Sequence, residues 1–486
     1  MLDLARAHAR PVPPAAPAAR PPLRPRTLTD VHCGLHRTRV AGVVVPADLA
    51  DLRAALARAA DERLAVSIGG GRHAMGGQQL GRGTLHLDTR VLSRVLALDR
   101  ERGLLVAEAG CQWPALIEGY LATQGGAERA RWGIAQKQTG ADALTLGGAL
   151  AANAHGRGLA MAPFVADVES FLLVEAGGGL RRCSRDEEPE LFALVAGGYG
   201  LFGVVYALTL RLRRRHVLER LVQVRTAEEL PEAFAARIAE GCLYGDFQFE
   251  TDERSPTFLR RGVFSCYRPV ADGAVVRSAQ RELALEDWVR LLHLAHSDKA
   301  RAFREYAEYY LTTHRQLYWS DTHQLAVYPA GYHRELERRR GMRRGGEMIG
   351  ELYVPRESLP GFLAAAAALL RARRADVIYG TVRLIERDED SFLAWAREGW
   401  ACTVLNLCVE HSAAGAERAA EAFRGLNELA LERGGSFYLT YHRWARRDQL
   451  LAAYPRLPQF LAAKRRHDPE ERFTSDWYRW LVETVG

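Results

Sequence analysis

The chain has 486 residues, 48% hydrophobic and 26% charged, with a formal net charge of +7. That length asks for two or three domains, and the balance is that of a globular chain, not a disordered or fibrous one. No apolar run reaches the roughly 18 residues of a membrane span, and the basic excess is scattered arginine without the aromatic-basic stripe of a nucleic-acid binder.

The seven cysteines are odd in number and contain no C-x-x-C, so neither a disulfide framework nor a zinc pattern is expected. A reducing, cytoplasmic compartment fits them best. Residues 1–28, rich in Pro, Ala and Arg, read as a disordered leader without the apolar stretch of a signal peptide.

A strand over 39–45 leads to a helix with apolar residues at Leu49, Leu52, Ala55 and Leu56. The strand 64–68 then enters Gly69-Gly70-Gly71-Arg72-His73-Ala74-Met75-Gly76-Gly77-Gln78. Such glycine density serves a sharp turn or a close approach, and successive free N–H groups form a concave anion site suited to a pyrophosphate. Strands over 84–88, 95–98 and 104–109 and a helix over 113–122 follow. The next stretch, 136–158, which ends in L-T-L-G-G-A-L-A-A-N-A-H-G-R-G, is a polar loop opening into a small-residue helix. Its N-terminus is expected to offer free N–H groups to a phosphate.

Beyond a strand over 171–176 and a helix over 187–194, Gly198, Gly200 and Gly203 satisfy G-x-G-x-x-G. They follow a helix and precede a β-branched run over 204–211, the reverse of a dinucleotide fingerprint, so a Rossmann site is rejected. The basic run 211–216 marks a boundary. After it, strands over 218–225, 246–250, 262–267, 377–385 and 403–410 mix with helices over 282–296, 300–313, 359–372 and 416–433, an α+β pattern. A strand over 437–442 and terminal helices close the chain. In 377–385, Tyr379, Thr381 and Arg383 share one strand face, and Arg383 is a candidate substrate clamp.

Three segments, I-G-G-G-R-H-A-M-G-G-Q, L-T-L-G-G-A-L-A-A-N-A-H-G-R-G and E-L-F-A-L-V-A-G-G-Y-G-L-F-G-V-V, in that order resemble the FAD-binding domain of the vanillyl-alcohol oxidase/p-cresol methylhydroxylase superfamily. Within it they are most similar to the aldonolactone and alditol oxidase, cytokinin dehydrogenase and decaprenylphosphoryl-ribose oxidase branch. The tail F-Y-L-T-Y-H-R-W-A also resembles the last of these. The resemblance implies an α+β fold: a two-subdomain, PCMH-type FAD-binding domain over 29–214, an antiparallel-sheet cap over 215–435, and a segment over 436–486 returning to the first domain.

It further implies that Gly69, Gly70, Gly71, Arg72, Ala74 and Met75 line the pyrophosphate loop, with Gln78 near the cofactor. Gly140, Thr145, Gly147, Gly148, Ala152 and Gly156 would face the flavin, Val204 the adenine end and Tyr438 the isoalloxazine. His73 falls where many members attach FAD covalently, His155 beside the flavin, and Arg157 where it can hold a substrate or flavin oxygen. Tyr441 stands where one relative has lysine, so Tyr441 or the adjacent His442 is the alternative base.

The implied activity is hydride transfer from a CH–OH group to FAD, with O2 or another acceptor taking the electrons. C=C reduction, CH–NH oxidation and an electron-carrying subunit are the alternatives. A small-molecule substrate is expected, and no metal, nucleic acid or membrane span.

Overall fold

The computed structural model describes residues 21–486 except 272, 278–279, 327–330 and 341–342. Most of the leader lies outside the described residues. The rest of it is not all irregular: Arg26–Thr29 pairs antiparallel with Arg37–Val40, so regular structure starts before residue 29.

The helix Leu49–Asp61 opens on Asp48, whose side chain accepts from the Asp51 amide, a standard N-cap. It buries Leu49, Leu52, Ala55, Leu56 and Ala59 with residues of a three-stranded parallel sheet, in the order Gly42–Val44, Leu85–Asp88, Val66–Gly69. The tail extends this sheet: Val66 donates to the Arg472 carbonyl and accepts from the Thr474 amide. Beside it stands a five-stranded antiparallel sheet in the order Leu180–Ser184, Val168–Val174, Val204–Arg211, Leu104–Glu108, Val95–Asp99.

The eight-stranded sheet of the second half is antiparallel throughout. Its order is Leu317–Trp319, Val217–Thr226, Arg261–Pro269, Tyr244–Phe249, Val377–Ile385, Trp400–Glu410, Gly345–Pro355, Ser436–Phe437. Side chains alternate across a strand, and the register assigns the two faces. Opposite pairs Arg383–Cys402, Thr381–Val404, Tyr353–Cys402, Glu351–Val404 and Glu347–Cys408 share one face. The other face is covered by the helix Ala413–Leu431; a Cβ on Gly350 would lie 2.2 Å from the Phe423 ring. The strand Gly345–Pro355 is absent from the sequence reading. The expected strand 437–442 is only Ser436–Phe437, because the chain then leaves the sheet edge.

No helix among the described residues is long and apolar enough to cross a membrane. All seven cysteines are free.

Candidate functional site

An elongated cavity, with about 1250 Å³ of atom-free space partly continuous with solvent, runs between the glycine loop, residues 138–152, the turn 199–203 and the tail 438–441. Its lining includes Gly70, Gly71, Arg72, His73, Ala74 and Gln78 from the first motif. From the second it includes Gly140, Thr145, Gly147, Gly148 and Ala152, and from the tail Tyr438 and Tyr441.

Close approach explains the glycines. A Cβ on Gly70 would sit 2.2 Å from Thr145 Oγ1, and one on Gly71 would sit 2.1 Å from the Ala143 carbonyl oxygen. Arg72 takes a left-handed φ of 57°, which aims successive amides at one concave side. The amides of Gly71, Arg72, His73 and Ala74 make no hydrogen bond among the described residues. They are the free donors of the loop.

The helix Leu146–Ala152 corrects an expectation. Its first amides are already used: Leu146 donates to Cys111, Gly147 to Ala109 and Ala149 to Thr145, all to carbonyls, and Gly148 to Thr145 Oγ1. This helix start therefore offers packing and small side chains, not an anion site.

The tail roofs the cavity. Met75 donates to the Thr440 carbonyl at 3.1 Å, and Gln78 Nε2 to the Leu439 carbonyl at 2.6 Å. Tyr438 Oη donates to the Ala152 carbonyl at 2.6 Å, and Tyr199 Oη meets Thr440 Oγ1 at 3.0 Å.

Other expected residues lie behind this wall. Gly69 ends its strand against the His86 ring. Met75 is fully buried in the core. Gly156 lets its backbone approach Lys137, whose carbonyl oxygen would stand 2.7 Å from a Cβ. Val204 is a core strand residue, and its neighbours Gly203 and Val205 line the cavity instead. His442 packs between Phe423 and Trp444, ring centroids 4.5 and 5.1 Å away, and does not line the cavity.

His73 Nδ1 lies 2.8 Å from His32 Nε2, while His73 Nε2 is buried without a hydrogen bond. Burial lowers His73 to about 4, against the pull of the Ala143 carbonyl. Burial and the neighbouring His73 bring His32 to about 3. Both rings are neutral at pH 7.

The densest polar cluster centres on Glu351. Its Oε2 accepts from His155 Nε2 at 2.7 Å and from Tyr353 Oη at 3.0 Å, and its Oε1 accepts from Tyr441 Oη at 2.7 Å. Burial would raise this carboxyl, but the charge and hydrogen bond of His155, the bond from Tyr441 and the charge of Arg383 outweigh it and hold the pKa below the ordinary value. His155 Nδ1 faces the Gly156 carbonyl at 3.1 Å. His155 thus bridges the Gly156 carbonyl and the Glu351 carboxylate, and both of its ring nitrogens are engaged inside the protein. Only Tyr441 of this group lines the cavity.

Arg383 is 3% exposed, and its Nε and Nη1 have no hydrogen-bond partner. Thr381 Oγ1, on the same face, is also without one. Arg157 gives Nη2 to the His323 carbonyl at 2.7 Å and lies over the Tyr267 ring, but its Nε is unpartnered. Buried donors left unpaired are costly. None of the three lines the cavity. Sequence reasoning missed Glu351, although Glu347, Ile349, Glu351 and Tyr353 alternate along one strand. It also missed His32, a lone histidine in an irregular segment.

A cradle of glycines, free loop amides and a mainly apolar cavity is the arrangement that a bound dinucleotide cofactor needs. Residues 40–184 match the family model described as FAD binding domain. The chain is 28% identical over 201 residues to the mitochondrial L-galactono-1,4-lactone dehydrogenase of Arabidopsis thaliana, covering 40% of this chain and 31% of that protein. It is 31% identical over 179 residues to an uncharacterized oxidoreductase, ORF5 in the fasciation locus, of Rhodococcoides fascians, covering 36% of this chain and 38% of that protein. A mitochondrial L-galactono-1,4-lactone dehydrogenase 2 of Oryza sativa subsp. japonica is 28% identical over 195 residues, 40% of this chain and 32% of that protein. The chain thus spans about a third of the length of these curated relatives. What the family match covers is residues 40–184, which are similar to an FAD-binding domain.

Proposed function

We propose that the chain is an FAD-dependent oxidoreductase that oxidises a CH–OH group of an oxygen-rich small molecule. FAD, when bound, supplies the hydride acceptor. The protein's own tasks are to hold the substrate, orient its carbon and take the hydroxyl proton.

The observation that carries this reading is the Tyr441–Glu351–His155 chain beside the unpartnered donors of Arg383. Tyr441 presents its hydroxyl at the cavity wall, and Glu351 behind it is an ionised acceptor. A proton leaving the substrate oxygen passes to the Tyr441 oxygen as the Tyr441 proton moves to Glu351. His155 keeps the carboxylate ionised and in place as a positioning residue. Arg383 binds a substrate oxygen, and Arg157 reaches the same region.

The relatives named as L-galactono-1,4-lactone dehydrogenases favour a sugar lactone or polyol as substrate. Lactone and alditol panels read by anaerobic flavin bleaching test this. The acceptor that reoxidises the flavin is then read from peroxide formation in air against reduction of an added dye. A second proposal concerns attachment. His73 lines the cavity and keeps Nε2 free of hydrogen bonds, which suits a covalent link to the flavin.

A further inference from the structure

We propose that His296, His333 and Glu347 form a binding site for a zinc-class divalent cation, on the cap sheet beside the flavin cavity. The three residues come from separate elements. His296 follows the helix Leu285–Ala295, His333 lies on the helix Tyr332–Arg340, and Glu347 lies on the strand Gly345–Pro355. That separation hides the set from any reading of sequence spacing.

His296 Nε2 and His333 Nε2 each stand 3.5 Å from Glu347 Oε1, and one ligand atom from each residue lies within 4.8 Å of the others. A separation of 3.5 Å is long for a charge-assisted hydrogen bond. It matches the edge of a tetrahedral zinc site, where ligand atoms about 2.1 Å from the metal stand about 3.4 Å apart. The two imidazole planes are 81° apart with centroids at 5.3 Å, so the rings converge rather than stack.

The cluster is partly buried, with the His333 side chain 14% exposed, and its ligand atoms lack better partners. The Glu347 side chain is 5% exposed and that of His296 is wholly buried. Glu347 Oε1 and His333 Nε2 have no hydrogen bond, and His296 Nε2 has only a long contact to Tyr332 Oη at 3.5 Å. Asn406 Nδ2 donates to the other oxygen, Glu347 Oε2, at 3.2 Å. It fixes the carboxylate with Oε1 turned to the histidines, as outer partners of metal ligands do.

His296 also lies near Asp376 and Cys408, but Asp376 is held by Lys299 at 2.7 Å, which favours the two-histidine set. Two histidines and one carboxylate leave a fourth position for water or a substrate oxygen. Glu347 shares its strand face with Ile349, which lines the cavity, and with Glu351 beyond it.

The test is metal content. Tag-free holoprotein is incubated with zinc chloride, desalted and analysed for zinc and FAD. We expect one zinc per chain in the wild type, loss of that zinc in H333A and in E347Q, and retention in C408S, with FAD content and circular dichroism unchanged in all. Cobalt in place of zinc should give the intense visible bands of a tetrahedral site without thiolate charge transfer. A wild-type protein that holds no zinc overturns the proposal, as does folded, FAD-loaded H333A or E347Q with wild-type zinc content. Loss of zinc in C408S alone moves the site to the other set and overturns it equally.

Discussion

Tyr441 and Glu351 are 90 positions apart in the chain, yet the tyrosine hydroxyl donates to the buried carboxylate at 2.7 Å. The tyrosine faces the cavity, and the carboxylate is closed off behind it by His155 and Tyr353. Replacing Tyr441 by Phe removes one hydroxyl and little else. Stopped-flow reduction is expected to slow by about a hundredfold, the scale of a lost acid–base group, with FAD content unchanged. Unaltered reduction would take the tyrosine out of the proton path.

Glu351→Gln acts differently. It removes the carboxylate that accepts from His155, Tyr353 and Tyr441 and leaves buried donors short of their acceptor, a change that costs about 1–3 kcal/mol. Thermal and denaturant unfolding should show a large loss of stability, whereas Y441F should show a small one. Equal stability losses would mean that Glu351 does not hold this cluster together.

Arg383 carries donors that are buried and unpaired, so its removal relieves the fold of those unsatisfied donors while giving up a charge that helps hold Glu351 ionised. Arg383→Met is expected to keep or raise the unfolding temperature. It should also weaken substrate half-saturation by about ten- to a hundredfold, the worth of one hydrogen bond to a charged group. Weakened stability with unchanged substrate affinity would show that Arg383 serves the cap and not the guest.

For His73, acid precipitation is decisive. The wild-type pellet should remain yellow, and that of His73→Ala should be colourless with FAD in the supernatant. A colourless wild-type pellet would rule the bond out while leaving the cavity assignment intact.

Burial, with His36 nearby, holds His442 at about 3, against about 6.5 in an unfolded chain. As pH falls through 6.5 the unfolded chain takes up a proton that the folded chain refuses. Stability present above pH 6.5 is therefore lost progressively towards pH 3, amounting to about 3 kcal/mol by pH 4. His442→Phe, within the Phe423–Trp444 stack, should flatten that acid limb in pH-dependent denaturation curves. An unchanged slope would mean that other groups set it.

The cofactor cradle was legible because glycine density and small residues report backbone proximity directly. Gly70 and Gly71 are glycines since Thr145 and Ala143 occupy the space of a side chain. The free helix amides were misread because the partners of Leu146 and Gly147, the carbonyls of Cys111 and Ala109, arrive from a distant strand end. Glu351 was missed for another reason. In G-E-M-I-G-E-L-Y-V-P, glycines and carboxylates are poor strand formers, and only cross-strand pairing with 400–410 makes the segment a strand. His442 looked like a base by its neighbourhood in sequence, but past Phe437 the chain leaves the sheet and packs this ring between Phe423 and Trp444.

The roof over the cavity is built from the segment 438–441, and the strand that enters the glycine loop is tied to Arg472 and Thr474 through Val66. During translation the two glycine motifs leave the ribosome hundreds of residues before these partners do. Coenzyme capture must therefore wait until the chain has been synthesised past residue 474, and nascent chains arrested earlier will emerge without it.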